Sequence, residues 1–217
     1  MTWDWSYTWS ILPQLLQALT VAVAATLVGF VVAAILGLLL ALGRRSSTRA
    51  VSWVAGAFVQ FIRSTPLLVQ LYFIFYVLPL YGLSLTAFAA GVLGLGVHYS
   101  TYLSEVYRAG INSVSRGQWE AATALNLPRS ATWLRVILPQ AIPPVIPVLG
   151  NYLLTMFKDT PLLSAITLVE MLQTAKILGS ESFRYVEPFT IVGLLFLAVS
   201  YPSAILIRRL EIRVNRR

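Results

Sequence analysis

Between residues 64 and 104 the chain runs through forty-one positions without one Asp, Glu, Lys or Arg. A helix needs about 20 apolar residues to cross the hydrocarbon of a bilayer. The stretch is therefore too long for one crossing and long enough for two, and LPLYGLSLT (residues 78–86) divides it with Pro79 and Gly82. Three more charge-free stretches occupy residues 13–43, 136–157 and 188–207. The pattern predicts an all-α integral membrane protein with five spans, at about 14–42, 58–79, 86–107, 137–157 and 188–207. With no internal repeat and no low-complexity linker, these form one membrane domain over residues 1–217.

Composition supports this reading. Charged residues make up 11% of the chain and hydrophobic residues 58%, whereas soluble domains carry about 25% charged residues. There is no cysteine, which excludes disulfides, thiolate metal sites and a cysteine nucleophile. No metal site and no cofactor are expected. The opening MTWDWSYTW lacks a basic start and carries Asp4, so it is unlike a cleaved signal peptide. Its three tryptophans and Tyr7 read as an interfacial aromatic belt.

The net charge of +8 would suggest nucleic acid for a soluble protein, but here its distribution points to the membrane and no nucleic-acid partner is expected. With the N-terminus outside, the cytoplasmic segments are 43–50, 108–135 and 208–217, and they hold twelve Lys/Arg. The outer segments hold three, Lys158, Lys176 and Arg184. Basic residues accumulate in cytoplasmic segments, so the N-terminus is expected outside and the C-terminus inside.

The polar segment at about 111–136 lies between two spans and contains EAATALNLPRSATWLRVILP (residues 120–139). Ser115 and Gln118 have capping-box spacing. QWEAATAL favours a short helix, ending at Asn126, which tolerates a left-handed backbone. Pro128 suits the first turn of a second helix. The prediction is a helix–turn–helix on the inner face, either an amphipathic interfacial loop or an element that docks into a cytoplasmic partner.

The same stretch resembles the EAA loop of ABC-importer permeases. Glu120-Ala121-Ala122 and the closing Leu138-Pro139 match; Val136 stands at the Ile position and Asn126 at the Gly position. FIRSTPLLVQLYFIFYVLP (residues 61–79), YLSEVYRAGINSVSRGQWEAA (102–122) and ILPQAIPPVIPVLGNYLLTMFKDTPL (137–162) resemble the polar amino acid permeases, and the resemblance covers about 14–210. It implies the type I importer permease fold, with five spans and the N-terminus outside, in the bacterial inner membrane. It also implies a cytoplasmic ABC ATPase dimer, a second permease subunit (identical or homologous), an extracytoplasmic solute-binding protein and surrounding lipid as partners. Glu120, Ala121, Ala122 and Asn126 would couple to the ATPase. The chain lacks Gly-x-x-x-x-Gly-Lys-Ser/Thr, so ATP hydrolysis falls to the partner and the chain itself is not an enzyme. Within the family, GVHYSTYLSEVYRAG, EAATALNLPR and SAITLVEML look most like ectoine/hydroxyectoine permeases.

Inside the spans, His98 is the single histidine, ten residues before Arg108 and so about 15 Å deep. Tyr102 follows on the same helical face. His98, Tyr99, Tyr102 and Asn151 are candidates to line a substrate path; for His98 an interhelical hydrogen bond is the alternative. Glu105 and Arg108 are spaced as an ion pair, and Arg63 either pairs with Glu105 or anchors at the headgroups; all three are read as structural or gating residues. Pro139, Pro143, Pro144, Pro147 and Gly150 predict an interrupted fourth helix, facing inward. Lys158 and Asp159 close that span, and short helices such as LSAITLVEMLQTA are expected in the outer loop, a contact for the binding protein.

Two rival classes are weaker. An ion-coupled secondary transporter or channel would need coupling-ion carboxylates in the spans, which are almost free of acid. An intramembrane hydrolase would depend on His98 as its base, and no Gly-x-Ser-x-Gly or paired metal ligands accompany it.

Overall fold

The computed structural model describes residues 3–215, and every regular element among them is helical. Helix α1 (Trp5–Arg44) begins where Asp4 caps it, the carboxylate accepting from the Ser6 and Tyr7 amides at 2.9 and 3.2 Å. A stripe of small residues runs down α1: Ala18, Ala22, Ala25, Gly29, Ala33, Gly37 and Ala41 are buried. Small side chains let a second helix approach closely, and α4 (Ala87–Asn112) lies along this stripe. A Cβ on Gly37 would stand 2.9 Å from the Ser100 carbonyl oxygen and 3.0 Å from the Leu103 Cβ. The two helices run parallel, since Gly29 faces Leu95, Gly37 faces Leu103 and Arg44 meets Glu105.

The second expected span, 58–79, is not one helix. Helix α2 (Arg49–Arg63) and the segment Leu67–Tyr81, which opens with α3 (Leu67–Tyr72), meet at 102°. Proline disfavours helical backbone in the residue before it, and Thr65-Pro66 sits at the bend. The carbonyls freed there are recovered by Gln70, whose amide donates to Ile62 O at 2.8 Å and Thr65 O at 3.0 Å. The segment continues as a π-helical turn (Phe73–Val77) and a 3-10 turn (Leu78–Tyr81), ending at Gly82 with φ +86°.

After α4 come α5 (Arg116–Ala124), a single turn α6 (Arg129–Ala131), a π-helical turn (Thr132–Ile137) and α7 (Leu138–Asp159). The expected interruption of the fourth span does not occur. Pro139 lies where the π-helical turn passes into α7, and α7 continues through Pro143, Pro144 and Pro147. Proline rings hold φ near the helical value, so the run restrains the backbone to the helix even as it removes three ladder bonds. The irregular backbone lies earlier, in the π-helical turn. A 3-10 segment (Thr160–Ile166), α8 (Met171–Ser182) and α9 (Val186–Asn215) complete the chain. The Glu170 carboxylate caps α8 through the Leu172 and Gln173 amides, both at 2.9 Å, while burial pushes its pKa upward. α7 runs antiparallel to α4 and α9: Gly110 faces Val145 while Tyr99 meets Asp159, and Phe157 meets Phe196 while Gly150 faces Ile207.

Among the described residues, three helical stretches are long and apolar enough to cross a membrane alone, Trp5–Arg44, Arg129–Ile166 and Val186–Val214, and the bent pair α2–α3 qualifies as a fourth if counted as one span. α4 has the length but a more polar middle. Three apolar cores hold the bundle. The largest joins α1, α3, α4 and α7 around Leu71, Leu95, Leu103 and Met156. A second joins α1, α7, α8 and α9 around Leu15, Phe157 and Met171. The third is small and lies at the end of the bundle where α1 and α4 terminate.

Candidate functional site

The polar middle of α4 is drawn into one cluster by its neighbours. His98 Nδ1 lies 3.2 Å from Gln70 Oε1, so the residue that repairs the bend also reaches α4. The His98 ring sits 5.6 Å from Tyr99 and 5.3 Å from Tyr102, centroid to centroid. Tyr152 of α7 closes the group, 6.3 Å from Tyr99 and 5.8 Å from Tyr102. The Tyr99 hydroxyl donates to Asp159 Oδ2 at 2.6 Å, joining α4 to the end of α7. Tyr99 is 3% exposed, whereas His98 and Tyr102 are only half-buried. The cluster offers aromatic faces, a carboxylate, an amide and an imidazole on a partly open surface. It suits hydrogen bonding and cation–π contact with a polar solute, and it contains no nucleophile activated by a base.

Below the cluster, one carboxylate gathers three guanidinium groups. Glu105 Oε1 accepts from Arg44, Glu105 Oε2 lies 3.0 Å from Arg108, and Arg63 stands 3.8 Å from Oε1. Arg63 also lies over the Tyr102 ring, 5.0 Å from its centroid. Of the two alternatives for Arg63, the contact with Glu105 is present. The group pins together the ends of α1, α2 and α4 while leaving two cations in excess of its acid.

Of the expected path residues, His98, Tyr99 and Tyr102 come together. Asn151 does not join them: it is exposed on α7, and its carbonyl accepts from Thr155 Oγ1. Gln70, Tyr152, Asp159 and Arg44 belong to the site and were not anticipated. Gln70 alone carried a usable signal, as the single amide side chain in the otherwise apolar and aromatic LLVQLYFIFYV.

The polar segment folds as a helix and a turn. α5 starts after Ser115, without the side-chain bond of a capping box. At its end the Asn126 amide donates to Thr123 O at 2.9 Å and the Leu127 amide to Ala122 O at 3.0 Å. This pair of bonds is the Schellman motif, which requires a left-handed residue; Asn126 supplies it with φ 52°. Pro128 precedes the second helix as its cap rather than opening its first turn. Glu120 and Ala121 are exposed on α5, and Ala122 is buried. Trp119 packs on the small third core, formed by Ile111, Val114, Ile137 and Ala141.

A helical bundle with parallel α1 and α4, antiparallel α7 and stretches long and apolar enough to cross a bilayer marks an integral membrane protein. Residues 33–216 match the family model described as "Binding-protein-dependent transport system inner membrane component", and the chain belongs to that family: it is a multi-pass inner-membrane permease of an ABC transport system. It is 47% identical over 221 residues to the "Probable amino-acid ABC transporter permease protein y4tG" of Sinorhizobium fredii (strain NBRC 101917 / NGR234), covering 100% of this chain and 96% of that one. It is 37% identical to the "L-cystine transport system permease protein TcyB" of Bacillus subtilis (strain 168), over 86% of this chain and 82% of the relative. A solved structure described as "Crystal structure of an amino acid ABC transporter with histidines" superposes with a TM-score of 0.93 at 33% identity, covering 98% of this chain and all of that one. The MetNI methionine ABC transporter shares the fold at 19% identity, with a TM-score of 0.74.

Proposed function

We propose that this chain is the permease subunit of an ATP-driven, binding-protein-dependent importer for a polar amino acid or an amino-acid-derived solute. The observation that carries the reading is the family match over residues 33–216, joined to relatives named for amino-acid, cystine and arginine transport. In this reading the chain crosses the membrane five times with its N-terminus outside. It pairs with a second permease, identical or homologous, because five spans are too few to enclose a path alone, and it sits in membrane lipid. A cytoplasmic ATPase dimer receives α5, with Glu120 and Ala121 at the contact and Ala122 and Asn126 shaping the helix and its turn. A loaded binding protein docks on the opposite side. Cargo passes the cluster of His98, Tyr99, Tyr102, Tyr152 and Asp159, with Asn151 on the neighbouring face of α7 and Arg63, Glu105 and Arg108 gating below. Ectoine and hydroxyectoine are proposed cargoes on the strength of the sequence stretches around α4 and α5.

The test is uptake into vesicles holding the complete transporter, with labelled L-arginine, L-glutamine, L-cystine and ectoine as cargoes. ATP-dependent uptake of one of them by the wild type, lost in Glu120→Ala, is the expected result. Uptake that proceeds without ATP overturns the importer reading, and normal uptake by Glu120→Ala overturns the assignment of α5.

A further inference from the structure

A displacement of α5 has to reach helices that line the polar cluster, and four side chains form a continuous bridge between them. Trp119 of α5 meets Trp133 of the π-helical turn edge to face, with centroids 5.3 Å apart and planes at 82°. The Arg45 guanidinium, one residue past α1, lies over the Trp133 ring at 5.8 Å. The same guanidinium donates to Asn112 Oδ1 at 2.9 Å, on the last residue of α4. The bridge stands on the third apolar core, which Trp119 and Trp133 both cover. A separate tie joins α5 to α7, where Gln140 Nε2 donates to Gln118 Oε1 at 3.2 Å.

We propose that Arg45 and Trp133 are positioning residues that carry the motion of α5 to the ends of α1 and α4. The proposal rests on the reading of α5 as the ATPase contact and adds the route inward. Its geometry is specific. Arg45 is adjacent to Arg44, and Arg44 holds Glu105, the carboxylate that also draws Arg63 over Tyr102 at the base of the cluster. Neighbouring arginines thus face two ways, one toward α5 and one toward the cargo path, and a shift at Trp133 moves both. The edge-to-face pair and the cation over the ring fix orientation as well as distance, which suits transmission of a rotation better than plain apolar contact would. A π-helical turn at this point is apt, because such turns depart from the regular ladder and recur at functional positions.

Coupling is a free-energy difference between states, so the test compares states. The chain has no cysteine, and spin labels at Ser47→Cys and Thr123→Cys, both exposed positions, report the separation of the α1 end from α5. Labelled chain is diluted with unlabelled chain in the full complex, with and without Mg-ATP. With the bridge intact, the two sites move together and give one narrow distance in both states. In Arg45→Gln and Trp133→Ala the distance broadens or shifts with Mg-ATP, and cargo imported per ATP falls by about fivefold. Arg45→Lys, which keeps cation and donor, and Trp133→Phe, which keeps a ring, preserve most of the coupling. Arg45 is exposed, so its substitution empties no core and the variant remains interpretable if Trp133→Ala fails to fold. Unchanged narrow distances in Arg45→Gln in both states overturn the proposal. Glu120→Ala, assayed for transport alongside, reports on the α5 reading separately: its failure to uncouple would sink that reading while the distances still decide the bridge.

Discussion

At the scale of single residues, the Tyr99–Asp159 hydrogen bond carries the clearest energetic consequence. Tyr99 is buried, and its hydroxyl donates to a carboxylate at 2.6 Å. A hydrogen bond to a charged group contributes about 1.5–3 kcal/mol. Tyr99→Phe keeps the ring contacts with His98, Tyr102 and Tyr152 and removes only the donor, so thermal unfolding in detergent is expected to show a loss of that order. Asp159→Asn, which turns the carboxylate into a neutral amide acceptor, is expected to cost less. Equal stability of Tyr99→Phe and wild type would show that water replaces the hydroxyl. This pair also marks the limit of what residue types disclose. His98 and Tyr102 share a face by their spacing alone, and that much of the cluster was legible. Tyr152 and Asp159 join it only because α7 runs antiparallel to α4 at a particular rotation, which no spacing along the chain encodes. By sequence Asn151 reads as a path residue, yet a helix turns about 100° per residue, and it is the next position, Tyr152, that faces the cluster.

Among the elements, α5 and its turn followed most directly from local chemistry. The alanine-rich helix, the left-handed residue after it and the proline beyond are each short-range features. Asn126 occupies the left-handed position through its backbone, and Asn is one of the few residues besides Gly that do so at modest cost. Asn126→Gly is therefore expected to retain coupled transport. Asn126→Val, for which the left-handed backbone costs about 1–2 kcal/mol, is expected to uncouple it and to speed hydrogen exchange at the Leu127 amide. Loss of transport in Asn126→Gly would instead assign the work to the Asn side chain. The longer helices were less legible in detail. The bend before Pro66 has a local cause, Thr65-Pro66, and the polar Arg63-Ser64-Thr65 marks it in the sequence, but the apolar runs on either side invite reading one continuous span. Conversely, the prolines of α7 suggest interruption, and the helix survives because its remaining amides continue the ladder and its prolines hold a helical φ.

For the whole molecule, the number of crossings turns on the bent pair α2–α3 and on α4. The leg Leu67–Tyr81 is about 22 Å long at the rise of an α-helix, short of the roughly 30 Å of hydrocarbon, whereas α4 extends for about 39 Å. Its polar middle lowers the hydropathy of α4, but that polarity faces Gln70, Tyr152 and Asp159 rather than lipid, which is how a membrane helix accommodates such groups. Basic residues then decide direction. Arg44, Arg45, Arg49, Arg108, Arg116, Arg129 and Arg135 lie on or beside the ends of α1 and α4 and the start of α7, and the side of the bundle carrying Lys158 and α8 is poor in them. Positive charge is retained in the cytoplasm, so the α5 end is expected inside. The cysteine-free chain makes this directly measurable with single cysteines and a membrane-impermeant maleimide applied to spheroplasts. Ser84→Cys and Ser180→Cys are expected to label from outside, and Ser47→Cys and Gln118→Cys only after the membrane is opened. Each adjacent pair tests one crossing: Ser47 against Ser84 tests the bent pair, and Ser84 against Gln118 tests α4. Labelling of Ser47 and Ser84 from the same side would make α2–α3 a re-entrant loop. The opposite pattern at all four sites would invert the molecule and remove α5 from any cytoplasmic ATPase.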